Sequence, residues 1–479
     1  MRRIQLKTLT ALSVILLSFP VQADDKSIVV DNDKTVDMAI SIYNNNLAFV
    51  KDTREVKLDK GYNRTAFVGV ASQIRPETAM LFGNGIKVIE QNYDYNLLTP
   101  QNILAESVGK TVKTALYNEK TGETVFDTAK IIESNYGAPI LQFSYGIETN
   151  FPGRIIYESL PQNLRAKPTL VVDLENDKQA SKKLELAYLT NGVSWKADYI
   201  ADITADDTLS INGWITLKNE SGVDYKDARV QVIAGNINQV STVSAMPRMM
   251  KAMGRMAMNV NYDAVETASV TQESFADYYL YNLPVRTSIN NNQSKQVSLI
   301  TKENVKFERE YKLVSPLYLG LGVGESDFEK QNPDVVFKIE NKAASNLGIP
   351  MPQGIMRFYE NDSKGSLLFA GESNVQQTAV GEQMKLTTGR SFDIFAKGKV
   401  ANVKSIAKDL TEAEAEITFN NAKSEAVTVV FEQNFGGGWE IVSESIKGVK
   451  KSAHATEWKV NIPAKGKTVL TYKVRLMKK

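Results

Sequence analysis

A methionine-rich stretch, "SAMPRMMKAMGRMAMNVNYD", contains the residue types that point most directly to chemistry. Its thioether side chains recur at the spacing of a helix, and basic side chains fall between them. Thioether sulfurs bind soft metals such as Cu(I), and methionines also make adaptable surfaces for a partner. The methionines at this spacing are Met246, Met249, Met250, Met253 and Met256, and the basic residues are Arg248, Lys251 and Arg255.

Two features of the same stretch favour a less specific interpretation. Pro247 and Gly254 weaken any long helix, and neither His nor Cys stands nearby to complete a copper site. We therefore predict that residues 241–275 form a flexible insertion that joins two strands. Contact with a partner or a membrane surface, and binding of copper, remain the alternatives.

Catalysis by a Ser-His-Asp triad would depend on His454, because it is the only histidine in the chain. It stands in "KKSAHATEW", between a charged turn and an alternating strand, without a flanking catalytic motif. Ser194, in "LTNGVSWKADY", has no local histidine to activate it. The absence of cysteine also removes thiol nucleophiles and thiolate metal sites. We predict that His454 is a surface or strand-edge residue and that the chain has no catalytic residues.

Paired carboxylates can hydrolyse glycosides, and the acidic pair Asp206 and Asp207 is one example in this chain. The pair stands in a turn, "TADDTLS", and pairs of this kind occur by chance among 55 acidic residues. Two acidic loops, "ENDSKG" (360–365) and "DNDK" (31–34), lack the complete ligand spacing of a calcium loop. We expect a hairpin turn at the first and a flexible segment at the second, and we predict no metal or cofactor site.

The first 23 residues have the pattern of a cleavable signal peptide. "MRRIQLK" is basic, "LTALSVILLSFP" is an apolar run too short to span a bilayer, and "VQA" ends in a small residue. We predict cleavage after Ala23 and a periplasmic location, with secretion from the cell as the alternative. No later apolar run reaches membrane-spanning length, so we predict no transmembrane segment in the mature chain.

Charge and cysteine content limit the function further. The chain has 57 basic and 55 acidic residues, and the signal peptide contains Arg2, Arg3 and Lys7 but no acid, so the remainder is close to neutral. A protein that neutralises many phosphates needs a basic surface, and we predict no nucleic-acid partner. Without disulfides, an exported chain must rely on packed cores, which a hydrophobic content of 43% can build.

The elements that must position these residues are short strands. Runs such as "LELAYL", "WKADYIADI", "VVFKIE" and "VTVVFE" alternate with period two, and turn signals such as "NESGVD" and "FGGGW" separate them. In "WKADYIADI", Trp195 and Tyr199 fall on one face, which we expect to point inward, and Lys196 and Asp198 fall on the other. The pattern predicts an all-β chain of several antiparallel, Ig-like β-sandwich units.

One region departs from this period-two alternation. "LLTPQNILAESVGK" predicts a short helix that Thr99 caps and Gly109 ends, and the strands that follow suggest a small SH3-like or Sm-like barrel. Trp439 and Trp458 are available for the core of the last region. The predicted regions are 1–23, signal peptide; 24–96, N-terminal β segment; 97–165, barrel-like segment; 166–400, central β-sandwich region with the insertion at 241–275; and 401–479, Ig-like sandwich.

The run "LAYLTNGVSWKADYIADI", followed by "LSINGWITLKNESGVDYKDARVQVIAGNINQV", resembles the bacterial family described as domain of unknown function 4139. Blocks such as "IYNNNLAFVKDTREVKLDKGYN" and "YYLYNLPVRTSINNNQSKQVSL" extend the resemblance over most of the chain. It implies an exported β-sandwich protein and brings no agreed activity. Some relatives are labelled mucoidy inhibitors, which implies a cell-envelope setting. The residues that form this fold signature are Gly192, Trp195, Tyr199, Trp214 and Gly222.

Together these observations predict a non-enzymatic protein of the cell envelope that binds another protein or a glycan. The alternatives are a polysaccharide-processing enzyme that works through carboxylates, and copper handling by the methionines. Contact candidates other than the methionine-rich stretch are the aromatic residues Phe275, Tyr278, Tyr279 and Tyr281, for which core packing is an equal alternative.

Overall fold

The computed structural model describes residues 27–134, 139–161, 164–205, 207–235, 237–239, 270–275, 278–320 and 322–477. Within them the regular secondary structure is almost entirely β-strand, and most strand pairs are antiparallel. The predicted all-β fold of sandwich units is therefore confirmed. In the part of the chain that the structure describes, no helix combines the length and the apolar character needed to cross a membrane.

The described strands are numbered in chain order. The first sixteen are β1 (Ile28–Val30), β2 (Thr35–Tyr43), β3 (Leu47–Leu58), β4 (Gly61–Val68), β5 (Met80–Phe82), β6 (Ile86–Asp94), β7 (Thr111–Asn118), β8 (Glu123–Glu133), β9 (Ile140–Phe143), β10 (Gly146–Glu148), β11 (Arg154–Ile156), β12 (Thr169–Asn176), β13 (Ala180–Thr190), β14 (Val193–Ala205), β15 (Thr208–Asn219) and β16 (Tyr225–Ala234).

The later strands are β17 (Thr271–Phe275), β18 (Tyr278–Asn282), β19 (Thr287–Ile289), β20 (Gln293–Lys306), β21 (Glu308–Val314), β22 (Leu319–Gly320), β23 (Ser326–Gln331), β24 (Asp334–Glu340), β25 (Gly354–Asn361), β26 (Leu367–Val375), β27 (Gln383–Arg390), β28 (Ile394–Ala407), β29 (Leu410–Asn421), β30 (Val427–Gly436), β31 (Gly438–Glu444), β32 (Val449–Ser452), β33 (Ala455–Ile462) and β34 (Lys467–Met477). The helices are α1 (Pro100–Ala105) and the 3-10 helices Asn32–Lys34, Pro76–Thr78 and Ala343–Ser345.

These strands form six sheets among the described residues. Three of them are used below and are named the central sheet, the seven-stranded sheet and the C-terminal sheet. The central sheet has the order β20-β15-β14-β25-β26, the seven-stranded sheet β27-β24-β21-β30-β33-β32 with β22 on β30, and the C-terminal sheet β23-β28-β29-β34-β31. The others are β1-β4-β12-β6, β10-β9-β8-β7-β11, and β17-β18-β16-β2-β3-β13-β5 with β19 on β16.

The chain divides into two compact units, each built from separate stretches of sequence. Unit 1 comprises the residues up to Val36, Arg54–Val70 and Leu81–Glu185, and unit 2 comprises Asp37–Thr53, Ala71–Met80 and the residues from Leu186 onward. The regions predicted from the sequence are continuous and differ from this division. Their boundary at residue 400 falls inside β28.

In unit 1, helix α1 begins as predicted. Thr99 is its N-cap and accepts a hydrogen bond from the Asn102 N–H at 3.1 Å, and proline occupies the first helical position. The helix ends at Ala105, before Gly109, which adopts a φ of 82° in the turn that follows. The end of the helix was therefore predicted too late.

The strands after this helix form an open five-stranded sheet. Among the described residues its edge strands β10 and β11 pair only with β9 and β7, so the sheet does not close into the predicted barrel. One face of this sheet packs over a small hydrophobic core, and burial of that core stabilises the short strands and helix α1. The core residues are Val112, Ala129, Ile131, Leu141 and Phe143, and Leu104 of α1 packs against them.

The acidic stretch at 31–34, which we expected to be flexible, contains an ordered 3-10 helix. Asp31 caps it by accepting a hydrogen bond from the Asn32 N–H. Arg54, which is fully buried, donates to the carbonyl oxygens of Val30 at 2.6 Å and Val68 at 2.8 Å, and to Asn32 Oδ1 at 2.7 Å. The guanidinium therefore ties the start of the described chain to unit 1, which the local sequence did not reveal.

In unit 2, the central sheet follows the predicted alternation. Trp195 is 6% exposed, and its indole N–H donates to the Ile233 carbonyl of β16 at 3.2 Å. Tyr199 is fully buried, and its hydroxyl donates to the Pro352 carbonyl at 2.8 Å. The inward face predicted for "WKADYIADI" is confirmed, and each polar atom on it has a backbone partner.

The seven-stranded and C-terminal sheets enclose a hydrophobic core in unit 2. Trp458 is fully buried and stacks on Tyr472 with ring centroids 4.7 Å apart. Trp439 is partly buried and stacks on Phe435 at 4.5 Å, so both tryptophans contribute to the core as predicted. Tyr311 of β21 belongs to the same core, which shows that this sandwich begins well before residue 401.

Candidate functional site

Several predicted contact residues lie outside the described residues. These are Met246, Met249, Met250, Met253, Met256, Arg248, Lys251 and Arg255, so the interpretations of the methionine-rich stretch stay predictions. Of the aromatic candidates, Tyr281 is buried and donates to the Pro350 carbonyl at 3.2 Å, whereas Tyr278 and Tyr279 are half-buried. Phe275 pairs with Tyr278 between β17 and β18. Tyr281 therefore packs in the core, which is one of the two alternatives.

The other candidates for chemistry lie apart from one another. His454 is exposed in the turn between β32 and β33, as the sequence predicts. Asp362 accepts backbone hydrogen bonds from Lys364 and Ser366 and so forms the predicted hairpin turn between β25 and β26. Asp206 lies outside the described residues. Among the residues that are described, no three His, Asp or Glu side chains form a group that could hold a metal ion.

The structure instead brings polar and aromatic side chains together on the outer face of the central sheet. Residues that are paired directly across neighbouring strands point to the same face. Trp214 pairs with Asp198, and Tyr359 pairs with Asp202 on one side and with Phe369 on the other. We call this surface the open face, and its members are Lys196, Asp198, Ile200, Asp202, Asn212, Trp214, Thr216, Gln296, Arg357, Tyr359, Phe369 and Glu372.

Asp198 is the centre of a hydrogen-bond network on the open face. It is 7% exposed and accepts from Thr216 Oγ1 at 2.7 Å and from Arg357 Nη1 at 3.1 Å. Lys196 Nζ also donates a hydrogen bond to Asp198 Oδ1, at 3.3 Å. The guanidinium of Arg357 also reaches Glu372, with Nε to Oε2 at 3.2 Å. The alternation predicts a solvated Asp198, but the cross-strand partners cover most of it.

These contacts decide the charge of the carboxyl group. Burial alone would raise the pKa of Asp198. Hydrogen bonds from Thr216 and Arg357 outweigh burial, so the pKa of Asp198 lies below that of an ordinary carboxyl group. Asp198 is therefore a carboxylate at neutral pH, and it can only accept hydrogen bonds.

Aromatic rings flank this polar centre. Trp214 is half-buried beside Asp198. Tyr359 and Phe369 meet edge to face with centroids 5.7 Å apart, and Phe369 is 58% exposed. From the spacing of residues and strands in a sheet, Trp214 and Tyr359 are separated by about 13 Å along the strands and about 10 Å across them. The rings therefore bound a surface long enough for a chain-like ligand.

One polar atom on the open face is unsatisfied. Oδ1 of Asp202 is buried and has no hydrogen-bond partner among the described residues. Asp202 lies between Ser210 of β15 and Tyr359 of β25, its direct strand partners. A buried acceptor without a donor costs free energy.

A groove of about 490 Å3 on the C-terminal sheet is a further candidate. Its walls include Glu414, which accepts from Lys473 Nζ and Asn402 Nδ2 at 2.8 and 2.7 Å. Glu444 accepts from the Trp458 indole at 2.9 Å. The hydrogen bond from Lys473 lowers the pKa of Glu414. Glu414 and Glu444, whose pKa values are both lowered, are therefore ionised and already accept hydrogen bonds from protein donors.

Comparison with known proteins adds nothing to this description. No protein-family model matches the chain, and no curated protein matches it. The resemblance stated from the sequence is therefore still an expectation.

Sequence patterns located part of the open face. The period-two alternation places Asp198 and Lys196 on the outward side of β14. Trp214 belongs to the fold signature, but the sequence does not predict which face of the sheet it occupies. Arg357, Tyr359 and Phe369 were missed. The period-two run "GIMRFYEN" does place Arg357 and Tyr359 on one face of a strand. The sequence contains no local signal that this strand lies beside β14.

Proposed function

We propose that this protein is a non-enzymatic, exported protein of the cell envelope that binds a glycan on the open face of its central sheet. The observation that carries the proposal is the combination of rings and hydrogen-bonding groups on one flat surface. Sugars present apolar C–H faces, which pack on aromatic rings such as Trp214 and Phe369. They also present hydroxyl groups, which need both acceptors such as Asp198 and donors such as Gln296.

The charges of the open face favour a neutral glycan. Arg357 is shared between Asp198 and Glu372, so its charge is already compensated by protein carboxylates. An acidic sugar would be repelled by these carboxylates. Neutral hydroxyl groups can donate to the same oxygens without a net electrostatic cost. We therefore expect neutral oligosaccharides to bind better than uronate-containing ones.

Binding is better supported than the alternative of a carboxylate-based enzyme. A glycosidase needs one carboxylic acid with a raised pKa to protonate the leaving group. In the groove of the C-terminal sheet the pKa values of Glu414 and Glu444 are lowered, and on the open face the pKa of Asp198 is lowered too. These carboxylates suit hydrogen-bond acceptance rather than proton donation.

The proposal is tested by calorimetric titration of the exported protein with neutral hexasaccharides of glucose, galactose and mannose. We expect one of them to bind, and Phe369→Ala to weaken binding by roughly tenfold, because an aromatic contact contributes up to about 1.5 kcal/mol. Tyr117→Ala is the matched control, since Tyr117 is equally exposed at 60% but lies on β7 in unit 1.

Two results would count against the proposal. If no neutral oligosaccharide binds, or if Tyr117→Ala and Phe369→Ala weaken binding equally, the open face is not a glycan site. Capture of an envelope protein that Phe369→Ala abolishes and Tyr117→Ala does not would then assign the face to a protein partner.

A further inference from the structure

A second groove, of about 400 Å3, lies on the seven-stranded sheet. It is separate from the open face because it is built on other strands. Ammonium groups predominate in its walls. The lining residues are Glu310, Lys312, Val336, Lys338, Lys385, Thr387, Lys451 and Glu457.

Three of the four lysines already have carboxylate partners. Lys338 is paired with Glu310, and both side chains are largely buried. Lys312 and Lys451 share Glu432, at 3.0 and 2.6 Å. Burial raises the pKa of Glu432, but the hydrogen bonds from the two lysines outweigh it and hold the pKa below its ordinary value. One wall of the groove is therefore a fixed ionic network.

The fourth lysine is not compensated. Lys385 of β27 lies directly opposite Lys338 of β24, and like charges directly opposite each other destabilise a sheet. Among the described residues, the Lys385 ammonium has no ion-pair or hydrogen-bond partner. Thr387 stands two positions along β27 and lines the same groove. An excess positive charge and a threonine thus line one cavity.

We propose that this groove binds an oxyanion, the carboxylate or phosphate group of a small ligand. The anion accepts hydrogen bonds from Lys385 Nζ and Thr387 Oγ1, and its charge compensates that of Lys385. Lysine binds such groups as a compact point charge with three donors. The proposal does not depend on glycan binding by the open face, since no residue is common to the two surfaces.

The experiment is a calorimetric titration of the exported protein at low ionic strength with two probes, inorganic phosphate and glucuronate. We expect at least one probe to bind and to raise the melting temperature, because a ligand that binds only the native state stabilises it. Lys385→Gln should weaken binding about tenfold or more, the usual contribution of one charge-assisted hydrogen bond. Lys408→Gln, which changes an exposed lysine in the turn between β28 and β29, should leave binding unchanged.

The titration results distinguish the class of anion that the groove binds. Binding of phosphate alone assigns the groove to phosphorylated ligands, binding of glucuronate alone assigns it to carboxylated ones, and binding of both supports a general oxyanion site. Without any anion, Lys385→Gln should melt no lower than the unaltered protein, because among the described residues Lys385 has no ion-pair partner to lose. The proposal is overturned if neither probe binds, or if Lys385→Gln binds as tightly as Lys408→Gln.

Discussion

At the scale of single residues, the neighbours Ser194 and Trp195 on β14 give a sharp contrast. Their side chains point to opposite faces, and only Trp195 enters the core. We expect Trp195→Ala to lower the free energy of unfolding by about 3–5 kcal/mol, as for other buried aromatic residues. Ser194→Ala should change it by less than about 0.5 kcal/mol. Urea denaturation measures both, and the reverse order would mean that the faces of β14 are misassigned.

The pH dependence of stability tests the network at Asp198. Its pKa is lowered from 3.8 in the folded protein, so its contribution is fully present above that value and is lost as pH falls through the lower folded-state pKa. Asp198→Asn should cost about 1–3 kcal/mol at neutral pH, and the difference from the unaltered protein should shrink in acid. Asp409→Asn, at an exposed turn residue, is the control and should change the free energy of unfolding by less than about 0.5 kcal/mol at neutral pH.

Arg54 allows a test of a buried cation in unit 1. Its guanidinium donates to the backbone of Val30 and Val68 and to Asn32. Arg54→Met keeps much of the volume but leaves these acceptors without their donor, so we expect a loss of about 3 kcal/mol in the free energy of unfolding. Arg54→Lys should recover part of it, because one ammonium cannot reach all three acceptors with the geometry of a guanidinium. Equal melting temperatures for all three proteins would contradict the role assigned to Arg54.

At the scale of elements, the turn before β14 depends on Gly192. This residue has a φ of 85°, and a Cβ atom there would lie 2.8 Å from Ser221 Cα. Gly381 has a similar φ of 97° but open space around it. Both substitutions to Ala introduce backbone strain of about 1–3 kcal/mol, and Gly192→Ala adds a steric clash. Chemical denaturation should therefore show a larger loss for Gly192→Ala, and equal losses would mean that the turn at Ser221 relaxes freely.

The elements also show how far the sequence predicts this molecule. Period-two alternation predicted the inward face of β14, and cap and proline signals predicted where α1 begins, because both depend on neighbouring residues. The parallel pairing of β14 with β25 depends on residues far apart in the chain, and no local pattern encodes it. Asp198 was therefore identified as an outward residue, whereas Arg357, which covers it, was not. The small barrel was overpredicted, because closure depends on edge strands whose pairing a meander of short strands does not specify.

At the scale of the whole molecule, the two compact units predict more than one unfolding transition. A multidomain chain commonly departs from two-state behaviour. We expect calorimetric unfolding to resolve two transitions, with Arg54→Met lowering the one that belongs to unit 1 and Trp195→Ala the one that belongs to unit 2. If both variants shift a single transition, the two units unfold together.

The hydrogen bond from Tyr199 to the Pro352 carbonyl joins segments that are synthesised at different times, because a chain is made from its N-terminus. The two residues are 153 positions apart, so β14 emerges long before the strand that completes its sheet. During that interval one flank of β14 lacks its neighbour and can pair with other chains. A molecule truncated before Gly354 would keep that flank open permanently. Folding of the central sheet thus depends on the arrival of β25 beside β14, and a delay in that pairing favours aggregation.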